Sequence, residues 1–264
     1  MKSRISEKFN TLRQKNEKAL ITYITSGDPD LDTTLNLVLE MEKAGADIVE
    51  LGIPYSDPLA DGPVIQRAAQ RALKAGTNID SIFDMVSKIR EKTELPLVFL
   101  VYFNTIHRYG INRFLDKCQN SGVDGLIIPD LPLEERRELN EIMKNYPIDL
   151  IALVAPTSED RIREIVLDSE GFVYCISSKG VTGTRECFEV DLSNFINKVK
   201  KYTTIPLAIG FGISNKEAIK NLKGLCDGLI IGSAIVEKIE KGLEEEAVKD
   251  KVFNFVSELH GAIE

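Results

Sequence analysis

The feature that most limits what this chain can fold into is a regular alternation of short apolar runs with amphipathic stretches. The apolar runs are rich in β-branched and aliphatic residues and have the length of buried strands, and the segments between them have helical spacing. Strands are predicted over residues 19–25, 47–53, 95–103, 124–129, 149–155, 172–177, 206–211 and 227–232. Eight strands alternating with helices over about 250 residues are typical of a (β/α)₈ barrel.

The alternation continues along the whole chain, which predicts one domain over residues 1–264. No linker or low-complexity stretch interrupts it. Ile5, Phe9 and Leu12 recur at helical spacing near the N-terminus and predict an extra helix over residues 3–13, packed on the barrel. We interpret the charged segment 237–251 as a solvated helix face. The expected fold class is therefore α/β, a single-domain TIM barrel with an extra N-terminal helix.

Charge and hydropathy exclude two classes of partner. The net charge of −8 argues against nucleic acid, because phosphate binding requires a basic face. No apolar run approaches the roughly 18 residues of a membrane span, and no segment resembles a signal peptide. We expect a cytoplasmic protein that binds neither nucleic acid nor membrane.

Cysteine and histidine usage restricts the possible chemistry. The four cysteines, Cys118, Cys175, Cys187 and Cys226, are scattered without a Cys-x-x-Cys motif, which indicates free thiols. The only two histidines, His107 and His260, are too few for a multi-histidine metal site and are poorly placed for a histidine-based triad. No metal site is expected, and any chemistry must use carboxylates, hydroxyls, lysines or backbone groups.

Residues 50–63 read ELGIPYSDPLADGP and place an acid inside a predicted strand. Strand alternation puts Glu50 on the side opposite an apolar triplet that suits the helix-facing surface, so Glu50 is predicted to point into the barrel mouth. Burial without a partner raises the pKa of a carboxyl group, which then exchanges protons near neutral pH. The alternative is a structural glutamate paired with a neighbouring lysine or arginine.

Glycine-bearing turns follow the last three predicted strands, at residues 177–185, 210–214 and 231–239. Glycine lets backbone N–H groups approach an anion, and Ser233 is placed to begin a helix whose N-terminus adds positive charge. Loops after the seventh and eighth strands, together with a short extra helix, form the usual phosphate site of these barrels. The alternative is that these glycines only permit tight turns.

These motifs together resemble those of the tryptophan synthase alpha subunit family. The resemblance rests on ELGIPYSDPLADGP, ITSGDPD, GVTGTR and GFGIS, and it extends from about residue 8 to the final helix. The first motif is highly specific to that family, whereas GFGIS is shared more widely among phosphate-binding barrels. The resemblance implies a lyase of tryptophan biosynthesis that cleaves indole-3-glycerol phosphate into indole and glyceraldehyde 3-phosphate.

The resemblance also implies roles for individual residues. Glu50 and Asp61 match the catalytic pair of the family. The substrate-binding positions are matched by Tyr23, Tyr102, Tyr174, Thr182, Gly183, Gly212, Gly232 and Ser233, the last four of them at the phosphate. Ser178 and Lys179 align less securely and receive no role.

The same resemblance implies a partner, a pyridoxal-phosphate-dependent beta subunit in an α2β2 heterotetramer. This chain itself is expected to need no cofactor. Pro54 and Asp57 are the expected contact residues, and the GVTGTR loop is a candidate lid with hinges at Gly180 and Gly183.

Three other functions remain open on the sequence alone. One is a Schiff-base aldolase that uses Lys179. Another is a non-catalytic regulatory subunit that binds the phosphate ligand and activates a partner. The third is a stand-alone lyase that releases free indole, whose active site would have the same residues.

Overall fold

The computed structural model describes residues 3–176, 185–210 and 212–264, except for the side chains of residues 159 and 185–191. Within these ranges the strands pair in parallel in sequence order, and β8 returns to pair with β1, which closes the barrel. The strands are β1 Ala19–Thr25, β2 Ile48–Gly52, β3 Leu97–Leu100, β4 Gly125–Ile127, β5 Asp149–Val154, β6 Val173–Ile176, β7 Leu207–Gly210 and β8 Gly228–Ile231.

Helices surround the barrel and follow the strands along the chain. They are α1 Arg4–Lys15, α2 Leu31–Lys43, α3 Pro63–Lys74, α4 Ile79–Arg90, α5 Phe103–Tyr109, α6 Ile111–Ser121, α7 Leu133–Met143, α8 Ile162–Leu167, α9 Arg185–Lys200, α10 Lys216–Leu222, α11 Ser233–Glu244 and α12 Val248–Ile263. A 3₁₀ helix, Pro156–Arg161, precedes α8. The predicted (β/α)₈ architecture is confirmed.

Strand alternation divides the core into two layers. Inward side chains such as Ile48, Ile127 and Ile230 fill the barrel, whereas outward ones such as Val49 and Leu51 pack under the helices. Glu50 lies between Val49 and Leu51 in β2 and shares the inward side with Ile48. The predicted orientation of Glu50 is confirmed.

The extra N-terminal helix closes the end of the barrel at which the strands begin. Its buried side chains, Ile5, Phe9 and Leu12, join the inner core, and the Phe9 ring lies 5.8 Å from that of Phe172. The Ser3 hydroxyl caps α1 and donates to Asp149 Oδ2 at 2.5 Å. Because α1 fills this end, a site inside the barrel opens only at the carboxyl ends of the strands.

The interpretation of residues 237–251 as one solvated helix face was wrong. The segment contains the end of α11, a turn and the start of α12, and the chain reverses where Glu246 takes a φ of +52°. Gly242 lies so close to the Val248 backbone that a Cβ would overlap it. A charge pattern alone does not reveal this contact between the two helices.

Two further predictions bear on cysteines and membranes. Cys118, Cys175 and Cys226 are buried free thiols, and the side chain of Cys187 is outside the described residues. Among the helices in the described ranges, none combines the length and apolar character that crossing a bilayer requires.

Candidate active site

Glu50 is a buried carboxyl group inside the barrel. It lies between Tyr23 of β1 and Val98 of β3 in the strand register, and it is 1% exposed. In the described part of the chain, Glu50 Oε1 has no hydrogen-bond partner and the carboxylate forms no salt bridge. Burial raises the pKa of Glu50 from 4.5 to about 8. The structure therefore gives no support to a structural pairing with lysine or arginine.

Two tyrosines predicted to bind substrate enclose the same interior. Tyr23 pairs with Glu50 across β1 and β2, and its hydroxyl shares a hydrogen bond of 3.3 Å with Thr25 Oγ1. Tyr174 lies on β6, and burial, together with the nearby Glu50, raises the pKa of both phenols. Neutral hydroxyls and a mostly protonated carboxyl group therefore line the interior at pH 7.

Glycines make room for these two side chains. A Cβ at Gly52 would overlap the Tyr23 hydroxyl, and a Cβ at Gly210 would overlap the Tyr174 hydroxyl. Sequence reasoning assigned neither glycine this function. The signal was present, because each glycine ends a strand on its inward side, two positions after Glu50 in β2 and two positions after Ala208 in β7.

Asp61 is half-buried in the loop between β2 and α3. Burial raises the pKa of its carboxyl group, and a hydrogen bond from the Tyr102 hydroxyl opposes that rise. Tyr102 also accepts a hydrogen bond from the Ala60 N–H at 3.0 Å. The Tyr55 ring stacks on Tyr102 with their centroids 5.0 Å apart. Tyr102 therefore holds both the Ala60 backbone and the neighbouring Asp61 side chain.

The start of α3 fixes the other end of this loop. Gly62 is the N-cap and Pro63 is the first helical residue, a position where proline's missing N–H costs nothing. Gln66 Nε2 donates to the Asp61 carbonyl at 2.8 Å. Sequence reasoning missed Gln66 and Tyr55, although both lie within or beside the motif that identified Asp61.

Three of the four predicted phosphate residues, Gly212, Gly232 and Ser233, follow the ends of β7 and β8. Gly212 adopts a φ of +82°, which favours glycine, and Gly232 caps α11 with Ser233 exposed in its first turn. Among the described residues no side chain caps α11, which leaves the positive end of its dipole without a side-chain acceptor there. Thr182, Gly183, Ser178, Lys179 and most of the predicted lid are outside the described residues.

The candidate site thus consists of an interior acid, a second carboxyl group held at the mouth, and a helix N-terminus. Across the described ranges, no group of three or more His, Cys, Asp or Glu side chains is arranged to hold a metal ion. The absence of a metal stays a prediction.

Comparison with known proteins decides the family. The family model described as tryptophan synthase alpha chain matches residues 9–264, nearly the whole chain. The chain belongs to the tryptophan synthase alpha chain family. A relative named tryptophan synthase alpha chain, from Alkaliphilus metalliredigens, is 63% identical over 260 residues, which cover 98% of each chain.

Solved structures agree with this tryptophan synthase alpha fold. The crystal structure of tryptophan synthase subunit alpha from Legionella pneumophila superposes with a TM-score of 0.93 at 32% identity, covering 100% of this chain and 99% of that one. A chain of tryptophan synthase from M. tuberculosis gives a TM-score of 0.89 at 30% identity, covering 100% and 99%. Sequence and fold therefore agree on one family of lyases along the full chain.

Proposed function

We propose that this chain cleaves indole-3-glycerol phosphate into indole and glyceraldehyde 3-phosphate, as a carbon–carbon lyase of tryptophan biosynthesis. The observation that carries the proposal is Glu50, a buried carboxyl group at the inner wall of the barrel whose Oε1 has no hydrogen-bond partner among the described residues. A carboxyl group whose pKa lies near 8 holds its proton at pH 7 and can give it to substrate.

The proposed reaction is a retro-aldol cleavage. The Glu50 carboxyl group gives its proton to C3 of the indole ring, which becomes a cationic indolenine. The resulting carboxylate then takes the proton of the hydroxyl group on the adjacent side-chain carbon. That oxygen forms an aldehyde, the carbon–carbon bond breaks, and its electron pair neutralises the indolenine and regenerates indole. Because the ring accepts the electrons, the step uses neither a metal nor a Schiff base.

Asp61 is proposed to stabilise the cation. Its carboxylate would accept a hydrogen bond from the indole N–H, which becomes more acidic when C3 is protonated. The contacts of Tyr102 with Asp61 and Ala60 support this role, since they orient the carboxyl group before substrate arrives. Tyr23, Tyr102 and Tyr174, together with Thr182, are proposed to enclose the indole and its glycerol side chain.

The phosphate is proposed to bind at Gly183, Gly212, Gly232 and Ser233. Replacing Gly212 with valine forces a β-branched residue to a φ of +82°, and replacing Ser233 with leucine covers the first turn of α11. Each change is expected to weaken glycerol phosphate binding by at least about 10-fold, since it blocks charge-assisted N–H contacts. Calorimetric titration measures the affinity, and unchanged affinity in both variants contradicts this assignment.

We propose that the partner is the pyridoxal-phosphate-dependent beta subunit, in an α2β2 complex that holds the cofactor outside this chain. Indole is small, apolar and neutral, so direct transfer to a docked enzyme prevents its loss through membranes. The loop that carries Asp61 also exposes Leu59, which is 86% exposed at the mouth of the barrel. A large exposed apolar side chain beside the site supports docking there.

Asp57 tests the partner proposal. It is exposed on the same loop, where its carboxylate accepts a hydrogen bond from Ser56 Oγ at 2.5 Å. Adding the beta subunit is expected to raise kcat of the wild type at least about 10-fold, and Asp57→Ala to lower that activation more than the basal rate. Steady-state assays with and without the partner measure both quantities. Equal activation of the two proteins contradicts a coupling role for Asp57.

One assay tests the function itself against the three alternatives. The isolated chain is expected to release indole slowly from indole-3-glycerol phosphate, followed by its absorbance. No indole release supports a non-catalytic regulatory subunit, and borohydride trapping of substrate on Lys179 supports a Schiff-base aldolase. Full turnover that the beta subunit does not change supports a stand-alone lyase.

We also propose that residues 1–264 form one domain, since α1 closes one end of the barrel and α12 packs on α2 and α11.

A further inference from the structure

A network of ion pairs joins three elements behind the candidate site. Arg71 of α3 donates from Nε and Nη2 to the two carboxylate oxygens of Asp28, at 2.7 and 2.8 Å. Its third nitrogen, Nη1, donates to Glu240 Oε1 at 2.8 Å. Arg67 of α3 also donates to Glu240, from Nε to Oε1 at 2.8 Å and from Nη2 to Oε2 at 2.7 Å. One guanidinium group therefore connects the loop after β1, helix α3 and helix α11.

The network continues a packed contact between α3 and α11. Ile65 and Ala68 of α3 and Val236 of α11 form a small core with Tyr23, one of the proposed substrate-binding residues. Gly232, at the start of α11, lies close to the Tyr23 ring. The two helices therefore contact each other through apolar side chains near the site and through charges one turn further away.

Each of these helices begins at a different part of the site. Asp61 lies two positions before Pro63, the first residue of α3. Gln66, in the first turn of α3, donates a hydrogen bond to the Asp61 carbonyl. Gly232 and Ser233 begin α11. A displacement of α11 toward a bound phosphate is therefore transmitted to the start of α3, provided that the two helices move as one body.

We propose that Arg71, through Asp28 and Glu240, is a positioning residue that couples phosphate binding at α11 to the placement of Asp61. This inference rests on the proposed function. The phosphate and the indole are at opposite ends of the substrate, so binding energy at the first must be used to orient groups at the second. The network provides a stiff connection between them.

The chemistry of the network explains why arginine occupies this position. Asp28 is buried, so its charge requires a partner, and the planar guanidinium group satisfies both of its oxygens while leaving one nitrogen for Glu240. The hydrogen bonds from Arg67, with additional attraction from Arg71, lower the pKa of Glu240 to about 2. Glu240 is therefore charged throughout the physiological pH range and keeps its bonds to both arginines. Lysine has a single nitrogen, so it cannot form the two parallel hydrogen bonds to Asp28 together with the third bond to Glu240.

Glu240→Gln tests the coupling while leaving the proposed phosphate groups in place. Glu237→Gln is the matched control, because it removes the same charge from the exposed side of the same helix. Hydrogen exchange of residues 54–62 is measured with and without sn-glycerol 3-phosphate, and calorimetry gives the affinity for that probe. Circular dichroism checks that the variants fold.

In wild type and Glu237→Gln, glycerol phosphate is expected to slow exchange of residues 54–62 by about 10-fold, within the usual range of coupling between sites. In Glu240→Gln the slowing is expected to fall below about 2-fold, while affinity for glycerol phosphate changes by less than about 5-fold. A merely structural role for Glu240 does not predict this separation of binding from loop order. Full slowing in Glu240→Gln, or no slowing in wild type, overturns the proposal.

Kinetics provides a second readout that uses Arg71 itself. Arg71→Lys is expected to lower kcat for indole release by about 10-fold or more, as a displaced catalytic group does, with a smaller change in KM. Unchanged kcat in a folded Arg71→Lys protein overturns the positioning role. Wild-type activity separates the proposed lyase function from the proposed coupling. If the wild type releases no indole, the proposed function fails. If the wild type and Arg71→Lys are equally active, only the coupling is refuted.

Discussion

Glu50→Gln is expected to remove nearly all indole release while the protein still folds and binds glycerol phosphate. Glutamine has almost the same shape as the protonated carboxyl group, but it neither donates a catalytic proton nor accepts one. A positioned acid or base contributes about 10²–10⁴-fold to rate, and Glu50 is proposed to act as both. Steady-state assays with indole-3-glycerol phosphate measure the loss. Retention of more than about a tenth of turnover, a barrier change under about 1.4 kcal/mol, excludes Glu50 as the acid–base group.

The pH dependence provides a control for this result. In the wild type, kcat/KM is expected to decline above pH about 8, where the free enzyme loses the Glu50 proton. The remaining activity of Glu50→Gln, measured with more enzyme, should lack that decline. A wild-type profile that stays flat to pH 9.5 contradicts proton donation by Glu50.

Although Glu50→Gln removes activity, it should make the folded protein more stable relative to wild type as the pH rises. Folded protein keeps the Glu50 proton up to about pH 8, whereas the unfolded chain releases it near the ordinary pKa of 4.5. Because the folded state binds more protons between these values, the free energy of unfolding falls as pH rises across that window. Glu50→Gln lacks this loss, so its stability relative to wild type should increase from pH 4.5 to pH 8. Urea unfolding at both pH values measures the difference.

The parts of the fold that sequence predicted are those fixed by local periodicity. Alternation in β2 placed Glu50 inward because Val49 and Leu51 needed the apolar layer under the helices. Helical spacing of Ile5, Phe9 and Leu12 predicted α1, and the structure confirms both. Periodicity succeeds here because each buried face is formed by residues close together in sequence.

The contacts that sequence missed join residues far apart in the chain. Glu240 and Arg71 are separated by 169 positions, and no local pattern distinguishes Glu240 from the other acids of residues 237–251. Tyr102 was expected at the site, but its hydrogen bond with Ala60 depends on how the loop folds back across the barrel. The break between α11 and α12 likewise depends on one close approach, that of Gly242 to Val248.

Asp61→Asn is the second large effect that we expect, and it should fall on kcat rather than on KM. The carboxylate is proposed to stabilise the indolenine cation, a charge that exists only after C3 is protonated. Asparagine keeps the side chain's size but not its charge, so ground-state binding should change by less than about 3-fold. Loss of one preorganised electrostatic group lowers kcat by about 10²–10³-fold. Asp84→Asn, the same change at an exposed position of α4, is the matched control and should leave both constants unaltered.

Tyr102→Phe shows whether Asp61 must be ionised. The Tyr102 hydroxyl lowers the pKa of Asp61 against the effect of burial, so its removal raises that pKa. If activity requires the Asp61 carboxylate, its protonation then begins at a higher pH as the pH is lowered. The acidic limb of the kcat profile should therefore move to higher pH in Tyr102→Phe. Asp61→Asn should have no such limb. If Asp61→Asn changes KM alone, or if Tyr102→Phe leaves the acidic limb in place, Asp61 binds substrate without stabilising its cation.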